Sequence, residues 1–595
     1  MAFAEPVTSH GHSIFGELKY PADFEMFDYV NPDAPKGGVY HTWDLGTFNK
    51  LTPDTEGGDY DRNISLTFDT LMVGTLDSLD QMYGLIAESI TVAEDKSWVS
   101  FKLREEARFA DDTPITADDI LFTFDAMQNK AQLRYKVYYG EIESVEALGP
   151  HEVKFNFVED AATRDLIPLI ASTQIYSAAY YEDRDFSEST MEPPLGSGPY
   201  RVADVQAGRY IVYERRDDYW AKDLPVNVGR YNFDRIRVDY YADMAAAFEG
   251  FKAGEYTLRS EADADLWTTS YDFPAVQRGD VIKAEIPTET VASNGFLFMN
   301  IRREKLSDPR VREAIATMFN FEFVNETLLH GLETRAASYW ENSDMEAEGP
   351  PPADERALLE PIAGELPEHI GNILEDDAAV PYAGSANPSQ DRGRRRAALA
   401  LLEEAGYSLE NGRMVGPGGP LTLEIMTGNS RLERFISPFI ESLNTIGISA
   451  SLRFVDSAQW RERLDTRDYD MLSGFLPMSN TPGNELRDVY GSQSADVPGS
   501  VNANGTANSG IDKLIAQIER AETRDELNIR VRALDRVLRA MHLRVPYWTR
   551  PNVWIAYYDY YRQPEPKPPY GIGALSIWWA DTERYDELKA SGAIN

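Results

Sequence analysis

The sequence predicts an α/β protein, and three observations carry that reading. Leu421, Leu423 and Ile425 alternate with polar neighbours, Ile436, Ile440 and Leu443 recur at helical spacing, and Ile448, Ala450, Leu452 and Phe454 alternate again. Strand, helix and strand this close together imply a parallel pair joined by a crossover helix. A second stretch shows the same mixture: Val99, Phe101 and Leu103 alternate, Ile120, Phe124 and Met127 share a helix face, and Val153, Phe155 and Phe157 alternate. Third, 43% of the 595 residues are apolar, enough for a sizeable core. No apolar run nears the ~18 residues of a membrane span; Ala397–Leu402 is among the longest.

The remaining elements follow in chain order. Thr116-x-x-Asp119 reads as a capping box opening the helix of Ile120. Asp308 caps a helix with Pro309 in its first turn and Val311, Ala314, Ile315, Met318 and Phe319 as its apolar stripe. Glu341 to Gln390, rich in Pro, Glu and Asp, reads as a long irregular excursion with a short helix at most. Ala398, Leu401, Leu402 and Ala405 mark another helix, stopped by Gly406. Gly416–Pro420 marks the turn into the strand of Leu421. The aromatic-dense end, from Tyr547 and Trp548 to Trp578 and Trp579, is expected to pack into a core. At ~150 residues per domain, the length suggests two to four domains.

Charge and composition remove whole classes of chemistry. The chain carries 58 Lys+Arg against 98 Asp+Glu, a net charge of −40, and no cysteine. Such a surface repels nucleic-acid backbones and anionic membranes. Without cysteine there are no disulfides, thiolate nucleophiles, iron–sulfur clusters or cysteine zinc sites. Phosphate-binding Gly-rich loops, zinc-protease and serine-hydrolase signatures are missing too. The doublets Asp111-Asp112, Asp118-Asp119 and Asp217-Asp218 read as caps and turns, Arg394-Arg395-Arg396 as a solvated helix face, and His10-x-His12 as no metal site. No catalytic residue, metal or cofactor is expected. The 32 Tyr and 10 Trp suit a site for sugars or peptides. Ala2-Phe3-Ala4 before Glu5 has the pattern of a signal-peptidase site, which points to export.

Ordered motifs then become recognisable. Ile86-Ala87-Glu88-Ser89, Phe101-x-Leu103-Arg104 and Pro114-Ile115-Thr116-Ala117-x-Asp119 fall in one block, with Asp112 where a glycine is usual. Gly196-Ser197-Gly198-Pro199-Tyr200, Glu214-Arg215-x-x-x-Tyr219-Trp220 and Asp308-Pro309-Arg310-Val311-Arg312-x-Ala314-Ile315 follow. The series resembles the solute-binding proteins of peptide ABC importers (family 5, cluster C, oligopeptide- and dipeptide-binding type). Trp220–Asp234, Tyr271-Asp272-Phe273-Pro274-Ala275 and Pro482-Gly483-Asn484-Glu485-x-Arg487 resemble its YejA-like branch.

That resemblance implies a bilobal type II periplasmic-binding-protein fold with an extra inserted domain. Lobe I would comprise 1–50, 193–295 and 549–595, the insertion 51–192, and lobe II 296–548, with hinge strands near Phe296–Ile301 and Tyr547–Pro551. The implied function is capture, in the cleft between lobes, of oligopeptides or of conjugates such as muropeptides or microcin C-type peptides. The implied partners are that ligand and inner-membrane ABC permease subunits, with no nucleic acid; the protein would be a periplasmic monomer without enzymatic activity. The rival readings are an extracytoplasmic glycan or peptide hydrolase, and a ligand-binding sensor or chaperone subunit.

Three segments are expected at the ligand. Thr47, Phe48 and Asn49 follow the first strand, Asn300 and Arg302 flank a hinge, and Met478, Ser479, Asn480, Asn484, Glu485 and Arg487 supply the opposite wall. Arg302 or Arg487 would pair with a ligand carboxylate. The family's amine-binding Asp is replaced here by a neutral residue, aligned at Ser479. Either another acid such as Glu485 holds the amine, or the ligand has no free amine there, as in a muropeptide.

Overall fold

A computed structural model of the chain describes residues 6–595 apart from 160, 293–294, 388–390, 477 and 499. The Ala2–Glu5 pattern therefore lies outside the described residues. The chain forms two units, Met1–Ala262 with Tyr271–Thr288 and Val553–Asn595, and Asp263–Ser270 with Glu289–Asn552.

In the first unit β1 (Val39–Leu45), β2 (Ala87–Val92) and β3 (Trp98–Leu103) precede α1 (Ala117–Asn129), while β4 (Ile142–Gly149) and β5 (Glu152–Phe157) follow it. Thr116 and Asp119 close the predicted capping box on α1, a device worth about 1 kcal/mol. The strands flanking α1 pair antiparallel. β4, absent from the sequence reading, forms a hairpin with β5 at the sheet edge. As an edge strand it buries Ile142 alone and leaves Glu143, Glu146, Ala147 and Leu148 exposed, so it has no clean alternation to read. Val99, Phe101, Phe124 and Phe155 fill the core between sheet and helix. Asp112 sits at φ 66°, the left-handed conformation that explains a glycine preference in its turn.

β6 (Tyr200–Gln206), β7 (Tyr210–Arg215) and β8 (Arg235–Tyr241) make a second sheet in the order β6–β7–β8–β1, with β8 and β1 parallel. The Gly196-Ser197-Gly198 entry to β6 runs hard against residues 66–68. A Cβ on Gly196 would lie 1.8 Å from the Thr67 carbonyl oxygen. Buried carboxylates nearby are held by hydroxyl donors. Asp54 accepts from Tyr135 and Tyr176 at 2.5 and 2.6 Å, and Asp61 from Tyr213 and Tyr240 at 2.7 and 2.8 Å. Asp69 accepts from the Tyr219 hydroxyl at 2.8 Å and the Trp220 indole at 2.9 Å. Part of the tyrosine content is thus used in satisfying buried acids.

The second unit contains β9 (Gly295–Met299), α2 (Pro309–Thr317), α3 (Arg392–Glu404), β10 (Thr422–Thr427), α4 (Glu433–Asn444), β11 (Ser449–Phe454), α5 (Ser457–Thr466), β12 (Met471–Phe475), α6 (Arg524–Ala540) and β13 (Arg544–Pro546). The sheet order is β11–β10–β12–β9–β13. β10 and β11 are parallel from Thr422↔Ser449 to Thr427↔Phe454, joined through α4 as the spacing predicts. Asp308 caps α2 by accepting from the Arg310 N–H at 2.9 Å. The helix ends at Thr317, so Met318 and Phe319 are buried on the turn after it rather than on its stripe. Gly406 takes φ 84° just past α3.

Buried arginines hold the irregular segments. Arg394 corrects the solvated-face reading: it is buried, pairs with Asp391 at 2.7 Å and donates to the Met318 carbonyl. Arg536 of α6 donates to the carbonyls of Gly349 and Glu348 and pairs with Glu355 at 3.0 Å. Arg539 reaches those of Ala379 and Ala347. The expected excursion contains one α-helix, Ala353–Leu359, among its described residues. These guanidiniums supply the donors that its carbonyls would otherwise lack. At the chain's aromatic-dense end, Tyr547, Trp554 and Trp578 are buried, as expected.

Candidate functional site

The topology of the second unit prepares a site at the carboxyl ends of its parallel strands. The chain leaves β10 through α4 towards β11, then returns through α5 to add β12 on the opposite edge of β10. Such a reversal opens a crevice beyond the strand ends. Here the β10–β12 ladder covers only Ile425–Met426 against Met471–Leu472. Past it the strands are bridged by side chains, with the Ser473 hydroxyl donating to Thr427 Oγ1 at 2.8 Å.

A groove of about 420 Å³ occupies that position. Gly295, Gly428 and Gly474 keep its floor low, Asn429 and Ser473 supply polar groups, and Leu432, Trp460, Phe475, Tyr547 and Trp548 form its walls. A Cβ on Gly474 would lie 2.4 Å from the Phe298 ring, so that close approach requires glycine. Trp460 rides on α5, whose N-terminus is capped by Asp456 accepting from the Gln459 N–H at 2.8 Å. Trp548 stacks on Tyr547 at 5.2 Å, and Tyr547 packs on Phe319 at 5.4 Å. Burial pushes the Tyr547 phenol pKa far up, and its hydroxyl has no hydrogen-bond partner among the described residues. Phe475 is 59% exposed at the end of β12, where its ring faces the groove. Among the described residues, no acidic or basic side chain lines the groove. It offers flat apolar surfaces, an amide and a hydroxyl, which suit uncharged rings and main-chain-like groups.

The residues expected from sequence take other positions. Phe48 is buried against Tyr240 with ring centroids 4.8 Å apart. Asn49 accepts from the Asp59 N–H at 2.9 Å, and Thr47 is exposed. Asn300 is fully buried, donating to the Tyr469 and Arg467 carbonyls at 2.9 and 3.2 Å. Arg302 donates to the carbonyls of Asn502 and Ala495, and burial lowers its pKa. Its fork is spent on these carbonyls and on Asn300 Oδ1, with Asp496 3.7 Å away.

In the expected opposite wall, Met478 is half-buried, and Ser479 Oγ accepts from the Thr481 N–H at 3.0 Å. Asn480 accepts from the Val291 N–H at 2.6 Å, and Glu485 from the Gly483 N–H at 2.9 Å. Asn484 precedes the short helix Glu485–Tyr490, and Arg487 pairs with Glu519 at 2.5 Å. None of these residues lines the groove, although Phe475 opens the segment that carries six of them. The signal that could have found it was present: Gly428 and Asn429 end a strand read as parallel, where ligands collect.

Comparison with known proteins agrees with this architecture. Residues 81–496 match the sequence model of "Bacterial extracellular solute-binding proteins, family 5 Middle". The chain is 37% identical over 581 residues to the "Probable peptide-binding protein YejA" of Agrobacterium fabrum, covering 96% of this chain and 94% of that one. It is 35% identical over 596 residues to the "Peptidoglycan-binding protein YepA" of the same organism, covering 97% and 95%. Among solved structures, the oligopeptide-binding protein AppA of Bacillus subtilis, in complex with a nonapeptide, superposes with a TM-score of 0.68 at 20% identity, covering 92% of this chain and all of that one. The chain therefore belongs to the bacterial extracellular solute-binding proteins of family 5.

Proposed function

We propose that this protein is the periplasmic binding component of a peptide ABC importer, and that the groove between Trp460 and Trp548 receives an uncharged part of its ligand. The observation that carries the reading is the groove itself, which is aromatic, free of acidic and basic side chains among the described residues, and placed at the carboxyl ends of β10 and β12. Past Leu472, β12 has no ladder to β10, so an extended peptide has main chain to run along, with pockets for alternate side chains. A neutral groove offers no counter-charge to a free α-ammonium, whose burial without one costs several kcal/mol. It favours ligands whose amine is acylated, and a muropeptide or other peptide conjugate meets that condition. Arg487, Glu485 and Ser479, in the segment after β12, are proposed to contact the remainder of the ligand. The partners are the importer's permease subunits, and the protein works as a monomer that binds without turnover. The family is extracytoplasmic, and no helix among the described residues is long and apolar enough to cross a membrane.

The test is native mass spectrometry of freshly purified protein, followed by calorimetry with free and N-acylated peptides. Retained acylated peptide, recovered unchanged and stoichiometric, is the expected result. Apo mass together with no heat from either ligand class, or turnover of the ligand, would overturn it.

A further inference from the structure

We propose a second binding surface, in the first unit: the solvent face of the sheet β7–β8–β1 docks an acidic, extended polypeptide segment of a partner protein. The inference does not depend on what the aromatic groove holds. Along β8, Ile236 and Val238 face the core, while Arg235, Arg237 and Asp239 face the opposite way over a groove of about 670 Å³. The register sets Arg237 between His41 of β1 and Val212 of β7, and Arg235 between Val39 and Glu214. Arg209 lies exposed beside it, contacting Gln206 at 3.2 Å. Asn595 borders one end.

The charge here runs against the rest of the molecule. The chain has 98 acids to 58 bases, yet three guanidiniums line this groove against the side-chain carboxylates of Asp239 and Glu255. Both carboxylates are engaged. Asp239 is met by Arg237 at 2.7 Å and by His41, and Glu255 accepts from the Tyr241 hydroxyl at 2.9 Å. Arg237 also lies over the Tyr210 ring, 4.3 Å from its centroid, so little side-chain freedom is left to lose on binding. Arg235 shares Glu214 with Arg201, at 3.5 and 3.0 Å.

The spacing identifies the occupant. Alternate residues of a strand repeat every ~6.6 Å, and so do alternate side chains of an extended segment laid along it. A segment with acids two residues apart places one carboxylate at Arg235 and the next at Arg237 Nη1, since Asp239 already holds Nε and Nη2. Val39 and Val212, with the rings of Tyr210 and Tyr585, add apolar lining. A single inorganic anion has no such match, because it meets one guanidinium at a time. The repulsion of the net charge is screened beyond ~8 Å at physiological salt, so contact at the groove decides binding.

The probe is a fluorescent (Glu-Ala)4 peptide, followed by anisotropy with the full chain. Saturable binding is expected, weakened roughly tenfold or more by Arg209→Glu with Arg235→Glu. Both sites are exposed, so the fold is retained. Arg453→Glu, on the exposed edge strand of the second unit, should leave binding unchanged. No saturable binding, an unaffected double variant, or displacement of the peptide by an equal concentration of inorganic phosphate would overturn the proposal.

Discussion

The indole of Trp548 meets the ring of Phe435 edge-on, with centroids 4.8 Å apart. Phe435 belongs to α4, the crossover helix, and Trp548 to a two-residue strand far along the chain. With Tyr547 stacked on Trp548 and Phe319 tilted against Tyr547, the groove wall is backed by rings gathered from three distant segments.

Removing that wall should weaken binding. Burying a large apolar side chain is worth ~1.5–3 kcal/mol, so Trp548→Ala or Trp460→Ala should raise the ligand Kd roughly 10- to 150-fold by calorimetry. Trp548→Phe should lose less. A change below about twofold in both alanine variants would place the ligand elsewhere.

Restoring the acid that the family alignment expects should change ligand preference. Ser479→Asp is expected to improve affinity for peptides with a free amino terminus by about tenfold, the scale of a charge-assisted hydrogen bond. Affinity for N-acylated peptides should stay level or fall. Equal effects on both classes would show that residue 479 does not face the ligand's terminus.

Asp69 gives the stability a pH signature. Burial raises its pKa to about 6, against the lowering effect of Tyr219, Trp220 and Ser197. A carboxyl with a raised folded-state pKa contributes stability below its ordinary value of 3.8, and this is lost as pH rises through about 6. The span corresponds to ~3 kcal/mol. In Asp69→Asn the hydrogen-bond loss is constant with pH but this slope disappears. The variant's stability deficit should therefore shrink between pH 4 and pH 6.5, as read by urea unfolding. A deficit constant with pH would be evidence against the raised pKa.

How far the fold was legible depended on where each residue's signal came from. β10, α4 and β11 carry period-two and period-3.6 patterns because each buries one face, so the parallel pair was readable. β4 buries one residue and was not. Arg394 looked like surface because a triple-arginine run is usually solvated. Its burial follows from a carbonyl, Met318, contributed by a distant turn. The family was legible in its motifs, and of the groove only the corner at Gly428 and Asn429, past a readable parallel strand, carried a signal. Its walls combine residues from Gly295 to Trp548, and only the reversal of strand order brings them together.

Breaking one arginine clamp should be costly. Arg536→Met leaves Glu355 buried without its main partner and strands the Gly349 and Glu348 carbonyls, at an expected ~3–5 kcal/mol. Arg536→Lys should recover little, since an ammonium does not reproduce the planar fork. Adding Glu355→Leu to Arg536→Met should restore part of the loss. Urea midpoints decide, and a loss below ~1 kcal/mol would contradict the clamp.

The same clamps set where the chain can change length. A sheet ladder fixes register, so one inserted residue turns every following side chain to the wrong face. A guanidinium asks only that some carbonyl oxygen be within reach, whichever residue owns it. Apart from Glu355, whose carboxylate Arg536 needs, the polypeptide between Glu341 and Asn387 can gain or lose residues while α6 stays in place and its arginines find new oxygens. Divergence in length among relatives should gather there, leaving the five-stranded sheet and its groove with constant dimensions.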